Sequence, residues 1–587
     1  MQTSDWMIVY GMSETDVSCC QQESLMTLGN GYLAWRGAPV WSQISGLHHP
    51  GLYAAGLQNS AAKGKMINLP NPQLMRFIVN GTPVSFDKES IVDRRSFIDF
   101  ERGIQSDRYT VHTAEGFISL TTSKYADPYN FHAIGFEGSF SATFDGNLLL
   151  ESLIDGSSEA SGNNEFSRTR VSDRLLCVDA FGGTNIEIAI AAKTFVNGRL
   201  IEQVEGYSEK QMLERTRIHF KANETVKFEK VIDIATSLEV ERAAEVARRD
   251  VNSLPLSSIK ENSAKYWAEV WTEADVKVEL AEPLNSSLQR LTHLCIFRLR
   301  QAAQHSANQY LNASLILPEI TADSGNSLLP YYIANTPETA RDLLTDLLRH
   351  TDSASLATAS NLCLYEQFTA DRSLLKEGGL EFFLKSLKFC INKAEQTEDG
   401  RHHNEDDSAY TNHLLTTSLK WLFTLPKILS TVSELNLQEA AMQTGFDDKV
   451  FRKAQELAKK LSLDNNIQEN DNEKVLRRLV EKFDNADSAS PVSPVSLSEM
   501  ASLVKVIQNG FAGVSLSDVD GVLTLAPNLP GSWHNLVFNQ KIHGVKLNIE
   551  ITERLLILTA DQDLTVRVYG VKANLKAGIL STFALKK

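Results

Sequence analysis

The chain has 587 residues, 42% of them hydrophobic, and its 73 acidic against 58 basic residues give a formal net charge of −15. Its length predicts roughly two to four domains, and its negative charge argues against a nucleic-acid partner. The apolar runs are shorter than the roughly 20 residues of a membrane helix, and the first residues lack the pattern of a signal peptide. We therefore expect a cytoplasmic protein that does not engage a membrane.

Residues 1–250 are predicted to form an N-terminal antiparallel β-sandwich domain. Short apolar or alternating runs recur between Gly, Asn, Asp and Pro, and Asn80-Gly81 between two such runs is a strong hairpin signal. Many short strands over this length are typical of a sandwich. Helical patterns over 239–251 and 264–272 follow, and we assign residues 251–275 to a helical linker.

Residues 276–512 are predicted to be an α/α helical domain. Pro337-Glu338 suits the first turn of one helix, and Ser496 with Glu499 suits a capping box at the last. The candidate helices span 284–306, 337–348, 377–395, 408–431, 446–462, 472–483 and 496–509. Strand patterns return at residue 513, and a small β-domain is expected over 513–587.

The cysteines and histidines do not predict a metal site. The six cysteines include no Cys-x-x-Cys pair and several lie in apolar surroundings, so we expect buried thiols. His402-His403 lies close to Glu405, but the spacing matches no closed zinc site, and an acidic loop of this kind is typically solvated. We predict no metal and no cofactor.

Three segments carry a family resemblance. Glu23–Gly37, Tyr266–Trp271 and Leu525–Trp533 are similar to the N-terminal signature, the linker-helix entry and the C-terminal junction of glycoside hydrolase family 65. The layout of sandwich, linker, helical domain and β-domain also resembles this family of maltose, kojibiose and trehalose phosphorylases. The resemblance implies a toroid-like helical domain, here shortened and incomplete, and a dimer. Within the first segment we interpret Gly29, Asn30 and Gly31 as supplying positive φ.

The resemblance implies an inverting reaction with one protein acid. That acid protonates the glycosidic oxygen while phosphate attacks the opposite face of the sugar ring. In the family it lies in a loop before a helix with an Ala-Tyr-Thr-Asn-like motif, which Ala409–Asn412 resembles. Counting back without a gap places Gly400 where the acid is expected. Glu398 and Glu405 are the candidates for a relocated acid.

The sugar-binding positions that the resemblance implies are only partly kept. Asp323 corresponds to a sugar-binding aspartate, whereas the aromatic platform corresponds to Ala322 and the adjacent glutamate to Gly325. Tyr410 and Asn412 are the remaining candidate substrate-binding residues. A pocket without its stacking ring and one of its carboxylates is expected to bind glucose weakly.

The phosphate-binding residues of the family also lack counterparts. A Lys-Gln pair and a Ser-rich segment ending in His are expected between residues 430 and 500, and that interval contains no Lys-Gln pair and no His. The acid, the sugar platform and the phosphate ligands are therefore altered together.

Three hypotheses follow. The leading one is a noncatalytic or strongly impaired paralogue that binds a glucose disaccharide or another α-glucoside weakly, or supports a partner. The second is an active inverting phosphorylase or hydrolase of glucose disaccharides with a relocated carboxylate. The third is an assembly subunit, either a homodimer or a heteromer with an active homologue.

Overall fold

The computed structural model describes residues 5–12, 19–59, 65–157, 166–180, 186–208, 210–280, 285–303, 324–350, 354–394, 408–430, 436–462, 472–484, 495–517 and 521–586. The chain divides into two compact units. The first comprises Met1–Asp275, Ser286–Ala322 and Val480–Met500, and the second Val276–Asn285, Asp323–Leu479 and Ala501–Lys587. Among the described helices, none combines the length and the apolar character needed to span a membrane.

Strands dominate the first unit up to residue 236. They are β1 (Met7–Tyr10), β2 (Leu28–Gly29), β3 (Leu33–Trp35), β4 (Leu52–Ala54), β5 (Gln58–Asn59), β6 (Lys65–Met66), β7 (Met75–Val79), β8 (Thr82–Pro83), β9 (Ile91–Asp99), β10 (Ile104–Thr113), β11 (Gly116–Ala126), β12 (Ala133–Ala142), β13 (Gly146–Asp155), β14 (Phe166–Ser172), β15 (Leu175–Ala180), β16 (Glu187–Val196), β17 (Arg199–Leu200), β18 (Gln203–Ser208), β19 (Gln211–Phe220) and β20 (Val226–Thr236).

Two sheets form the sandwich. The larger has the order β1-β9-β10-β11-β12-β20-β16-β15-β14, with β17 paired to β16, and the smaller has the order β18-β19-β13-β7-β8. Phe77 of the smaller sheet packs on Phe140 and Phe228 of the larger, with ring centroids 6.3 and 5.7 Å apart. The neighbouring strands of both sheets are antiparallel. The predicted antiparallel β-sandwich is confirmed.

The hairpin predicted at Asn80-Gly81 is confirmed. Val79 pairs with Thr82, so Asn80 and Gly81 alone form the turn between β7 and β8. Their φ angles of 49° and 86° are both positive. Such a turn matches the twist of the flanking strands and favours Asn-Gly.

Four helices belong to the same part of the chain. In chain order they are α1 (Cys19–Leu25), α2 (Ala243–Ser253), α3 (Leu256–Ala274) and α4 (Asn285–Ala302), of which α2 and α3 pack on the larger sheet. Helix α3 begins eight residues before the predicted 264, because Leu256 and Ile259 already belong to the apolar cluster between helix and sheet. Gly103 permits this packing, since a Cβ there would lie 2.0 Å from Nε1 of Trp267.

The glycine-rich loop differs from its prediction. Only Gly31 has a positive φ, 83°, and the expectation was wrong for Gly29 and Asn30. Gly29 is required by a close approach, because a Cβ there would lie 3.3 Å from Cβ of Gln301. Asn30 acts through its side chain, whose Oδ1 accepts hydrogen bonds from the backbone N–H groups of Tyr32 and Leu33 at 3.1 and 2.7 Å. Side-chain hydrogen bonding therefore replaces backbone strain at this position.

Helices fill the chain between the two β-regions. They are α5 (Ser324–Asn335), α6 (Pro337–His350), α7 (Leu356–Thr369), α8 (Leu380–Ala394), α9 (Ser408–Leu429), α10 (Leu437–Thr444), α11 (Asp448–Ser462), α12 (Asn472–Asp484) and α13 (Leu497–Lys505). The predicted capping box is present at α13, where Ser496 Oγ accepts from Glu499 N at 3.3 Å and Glu499 Oε2 accepts from Ser496 N at 2.9 Å. Helices α5, α7 and α10 are not covered by the predicted helical segments.

The chain ends in two small sheets. Their strands are β21 (Lys277–Leu280), β22 (Val514–Leu516), β23 (Leu523–Leu525), β24 (Trp533–Ile542), β25 (Val545–Thr552), β26 (Leu555–Ala560), β27 (Leu564–Val568), β28 (Val571–Leu575) and β29 (Ser581–Ala584). One sheet has the order β21-β24-β25-β26-β29 and the other β22-β23-β27-β28. The predicted central helical region and C-terminal β-domain are confirmed, whereas the four domain boundaries and the closure of a toroid stay predictions.

An uncompensated carboxyl lies beneath α2. Asp233 on β20 has no exposed surface, and neither of its carboxylate oxygens has a hydrogen-bond partner among the described residues. Burial raises its pKa to about 8, with His132 and Arg249 acting in the opposite direction and Asp250 and Glu239 adding to the rise. The neutral acid is therefore the form that suits the fold.

We expect Asp233→Asn to lose less stability than the wild type as the pH rises. A pKa raised from 3.8 gives stability that is complete below about pH 4 and is lost as pH rises through about 8. Each unit of pKa difference is worth about 1.4 kcal/mol. Urea unfolding at pH 5 and pH 8.5 should show the variant gaining more than about 1 kcal/mol relative to wild type at the higher pH. The exposed Asp93→Asn variant is the control, and parallel curves for Asp233→Asn and wild type would contradict the assignment.

Candidate functional site

Two helices of the second unit meet at their N-terminal ends. Asn326, in the first turn of α5, accepts a hydrogen bond from Asn361 Nδ2 at its backbone oxygen, 2.9 Å away. Its Oδ1 accepts from Thr358 Oγ1 at 3.1 Å. Thr358 and Asn361 lie in the first two turns of α7. The beginnings of α5 and α7 are therefore side by side.

The opposite ends of the same helices meet the hairpin of β24 and β25. Gln540 donates from Nε2 to the backbone oxygen of Ala334, near the end of α5, at 2.9 Å. The backbone N–H of His543 in the hairpin turn donates to Phe368 O, near the end of α7, at 2.7 Å. Carbonyls of a last helical turn lack partners within the helix, and these donors supply them. The two helices consequently run in the same direction.

Helix α9 packs against the second half of α7. Trp421, in the second half of α9, donates from Nε1 to Oε2 of Glu366 in the second half of α7, at 3.4 Å. Arg372 donates from Nε to the other oxygen of Glu366 at 3.0 Å. Both Glu366 and Trp421 are buried. Glu366 is thus occupied by two structural partners, and α9 lies beside α7.

The residues predicted from the sequence precede or begin α5 and α9 in the chain. Asp323 directly precedes α5 and lies outside the described residues, as do Glu398, Gly400 and Glu405 in the segment before α9. Tyr410 belongs to the first turn of α9, and its side chain is outside the description. Their roles stay predictions.

Asn412 is the predicted residue whose side chain is described. It lies in the second turn of α9, and its Oδ1 is buried without a hydrogen-bond partner among the described residues. A buried acceptor without a donor costs about 1–3 kcal/mol, which a ligand hydroxyl would recover. The carboxamide of Asn412 is therefore suited to receive a hydroxyl group.

Gly325 marks open space at the beginning of α5. It lies in the first turn of this helix, and a Cβ built there would meet no atom of the described residues within 4 Å. No described neighbour therefore fills the space that a side chain at position 325 would occupy.

Three polar residues at the beginnings of α5 and α7, Asn326, Thr358 and Asn361, were missed by the sequence reasoning. Helix α7 is buried on most sides, so its apolar residues form no single stripe to reveal it. The polar run Thr358 to Asn361 within an apolar segment was the available signal.

The thiols of the helical region are unsuited to nucleophilic chemistry. Burial raises the pKa of Cys390 to about 11 and the pKa of Cys363 well above its ordinary value. A neutral thiol is a poor nucleophile. Five of the six cysteines are buried and Cys20 is partly exposed, in agreement with the expectation of buried thiols.

Comparisons with known proteins point to one family. Residues 14–270 match the model of the glycosyl hydrolase family 65 N-terminal domain, and residues 516–575 match that of the C-terminal domain. Trehalose 6-phosphate phosphorylase of Lactococcus lactis is 31% identical over 777 aligned positions, which cover 100% of both chains. Nigerose phosphorylase of Lachnoclostridium phytofermentans is 22% identical and aligns with 70% of this chain and 67% of its own.

The fold has a solved counterpart as well. A human-microbiome protein described as a kojibiose phosphorylase superposes with a TM-score of 0.76 at 13% identity, over 99% of each chain. At this identity the likeness concerns the fold. The alignment with the Lactococcus protein has 777 positions against 587 residues here, so 777 − 587 = 190 positions have no residue in this chain.

We expect Gly325→Ala to stabilise the protein by about 0.5–1 kcal/mol, because alanine favours a helix over glycine and the space is open. Gly513→Ala is the contrast, since its φ is 62° and its Cβ would lie 2.1 Å from the backbone oxygen of Ala526, so alanine there should destabilise by about 1–3 kcal/mol. Thermal unfolding of both variants checks the pair. A loss of stability in Gly325→Ala would show that the space is filled.

Proposed function

The chain belongs to glycoside hydrolase family 65, and from this premise we propose that it binds an α-linked glucose disaccharide without cleaving it. The observation that carries the proposal is the coincidence of two glycines. Gly325 lies in the first turn of α5, Gly400 precedes α9 in the sequence, and α5 and α9 both contact α7. Both correspond to carboxylate positions in the family pattern.

Loss of the general acid removes the proton that the departing sugar needs. Without it the leaving oxygen departs as an alkoxide, and general acid catalysis alone is worth about 10²- to 10⁴-fold in rate. Gly400 has no side chain to supply that proton. Positioning of the attacking phosphate adds to this deficit, because the interval 430–500 has no His and no Lys-Gln pair.

Retained features support binding. The Oδ1 of Asn412 is a buried acceptor without a partner among the described residues, and the network of Asn326, Thr358 and Asn361 keeps the beginnings of α5 and α7 polar. The N-terminal ends of α5 and α7 also carry partial positive charge, which favours a phosphate on the ligand. Trehalose 6-phosphate, the sugar named in the Lactococcus relative, combines hydroxyls with such a phosphate.

We expect saturable binding of trehalose 6-phosphate and no phosphorolysis. Calorimetric titration should show weaker binding in Asn412→Ala by about tenfold, since one buried hydrogen bond is lost. The exposed Gln438→Ala variant in α10 is the matched amide control. Incubation with inorganic phosphate should release no glucose 1-phosphate above a protein-free blank. Turnover by wild type would contradict the noncatalytic proposal, and unchanged binding by Asn412→Ala would contradict the site.

A second candidate is an active inverting phosphorylase with a relocated acid. Its supporting observation is the 31% identity to trehalose 6-phosphate phosphorylase over the whole of both chains. Glu398 is the first candidate acid and Glu405 the second.

This alternative predicts that Glu398→Gln abolishes glucose 1-phosphate release from trehalose 6-phosphate, nigerose or kojibiose while binding persists. Glutamine keeps the shape of glutamate but cannot donate the proton, so the rate should fall at least about 10²-fold. Glu405→Gln serves as the paired comparison. A wild type that is inactive on all three sugars removes the candidate, and pairing with a second copy or an active homologue stays a prediction.

A further inference from the structure

A groove lies on the larger sheet of the sandwich, within the first unit. Its volume is about 400 Å³, near the lower end of typical ligand sites. Helices α2 and α3 cover the neighbouring part of the same sheet face, where Tyr125, Val231 and Ile259 belong to one apolar cluster. Beyond that cluster the face is uncovered by any described helix, and the groove begins there.

The register of the strands defines the floor of the groove. Residues directly opposite one another across β11, β12, β20 and β16 form one row, and residues two positions along each strand form the next. The first row is Ser123, Glu137, Glu229 and Phe195, and the second is Thr121, Ser139, Lys227 and Asn197. Three gaps between adjacent strands make the floor roughly 14 Å wide.

Two features distinguish this groove from a flat solvated sheet. The turn Asn197-Gly198, with φ of 46° and 76°, closes one side between β16 and β17. On the other side Lys260 of α3 donates to Oε1 of Glu137 at 2.7 Å, and Tyr125 donates to the same oxygen at 2.9 Å. Glu137 is thereby held in one position beside the floor.

The lining selects among ligand classes. Lys227 is the one cation in the lining and Lys260 at its edge is paired with Glu137, so the groove has no excess positive charge to attract a phosphate or another anion. No cluster of three or more metal-ligating side chains exists among the described residues, which argues against a metal ion. Hydroxyl groups and carboxylates exclude a wholly apolar ligand, whereas the partly exposed ring of Phe195 offers one apolar surface.

We propose that this groove binds a short neutral saccharide. Carboxylate oxygens accept hydrogen bonds from sugar hydroxyls, and charge-assisted bonds of this kind are the strong ones. The ring of Phe195 suits the C–H face of a pyranose, while the hydroxyls of Ser123, Ser139 and Thr121 donate or accept as the sugar requires. The sheet supplies these groups at fixed spacing, so binding does not require a rearrangement.

The groove is independent of the proposed function of the helical unit. The groove's residues all belong to the first unit, and Asn412 belongs to the second. The two sites also differ in ligand charge, because the groove disfavours a phosphate. Binding at the groove and binding at the helical site can therefore be measured separately.

Titration of the intact chain with maltotriose tests the proposal. Phe195→Ala and Glu229→Gln should each weaken binding at least about tenfold, and Ser139→Ala by a smaller factor. The matched controls are Phe117→Ala, an exposed ring on the same sheet outside the lining, and Glu202→Gln, an exposed carboxylate of the same unit. Asn412→Ala should leave maltotriose binding at the groove unchanged. Equal unfolding temperatures of Glu229→Gln and wild type establish that the fold is kept.

Two results overturn the proposal. One is wild-type affinity for maltotriose in both Phe195→Ala and Glu229→Gln. The other is the absence of maltotriose binding by wild type at millimolar concentration.

Discussion

The hydrogen bonds between the β24–β25 hairpin and the ends of α5 and α7 set the geometry on which the candidate site depends. Gln540 and the backbone N–H of His543 satisfy carbonyls of the two last helical turns, at 2.9 and 2.7 Å. A second bond joins Nε2 of His543 to Gln367 O at 2.9 Å. Because both helices present the same end to one hairpin, their N-terminal ends must share the other. The β24–β25 hairpin thus holds the C-terminal ends of α5 and α7, and the candidate site lies toward their other ends.

Two sequence positions carry the proposed loss of activity. Gly325 and Gly400, which the family resemblance places at carboxylate positions, are 75 residues apart in the chain. A single altered position would be compatible with a shifted substrate preference. Proton donation and sugar binding need atoms within hydrogen-bond distance of one molecule, so we propose that two such alterations concern one ligand. The oxygen of Asn412, which has no partner among the described residues, is suited to a hydroxyl of that ligand.

Much of the fold followed from local patterns in the sequence. Alternating runs and Asn80-Gly81 predicted the sandwich, and the capping box at Ser496 was read correctly because both partners are three residues apart. Helix α7 was missed because it is buried on most sides and has no apolar stripe. The role of Gly29 was misread, since its need for a bare Cα comes from Gln301, far along the chain. The saccharide groove was invisible for the same reason, because four strands from separate segments form its floor.

The sequence alone determined the class of each region, the family resemblance and the absence of a carboxyl group at Gly400 and Gly325, because residue identity and periodicity are local properties. Tertiary structure decided which helix ends meet, that the oxygen of Asn412 is buried without a partner among the described residues, and that Glu137 and Glu229 face each other on neighbouring strands. These facts depend on contacts between segments distant in sequence. Burial, strand register and helix direction arise only when such segments pack together, and no local pattern encodes them.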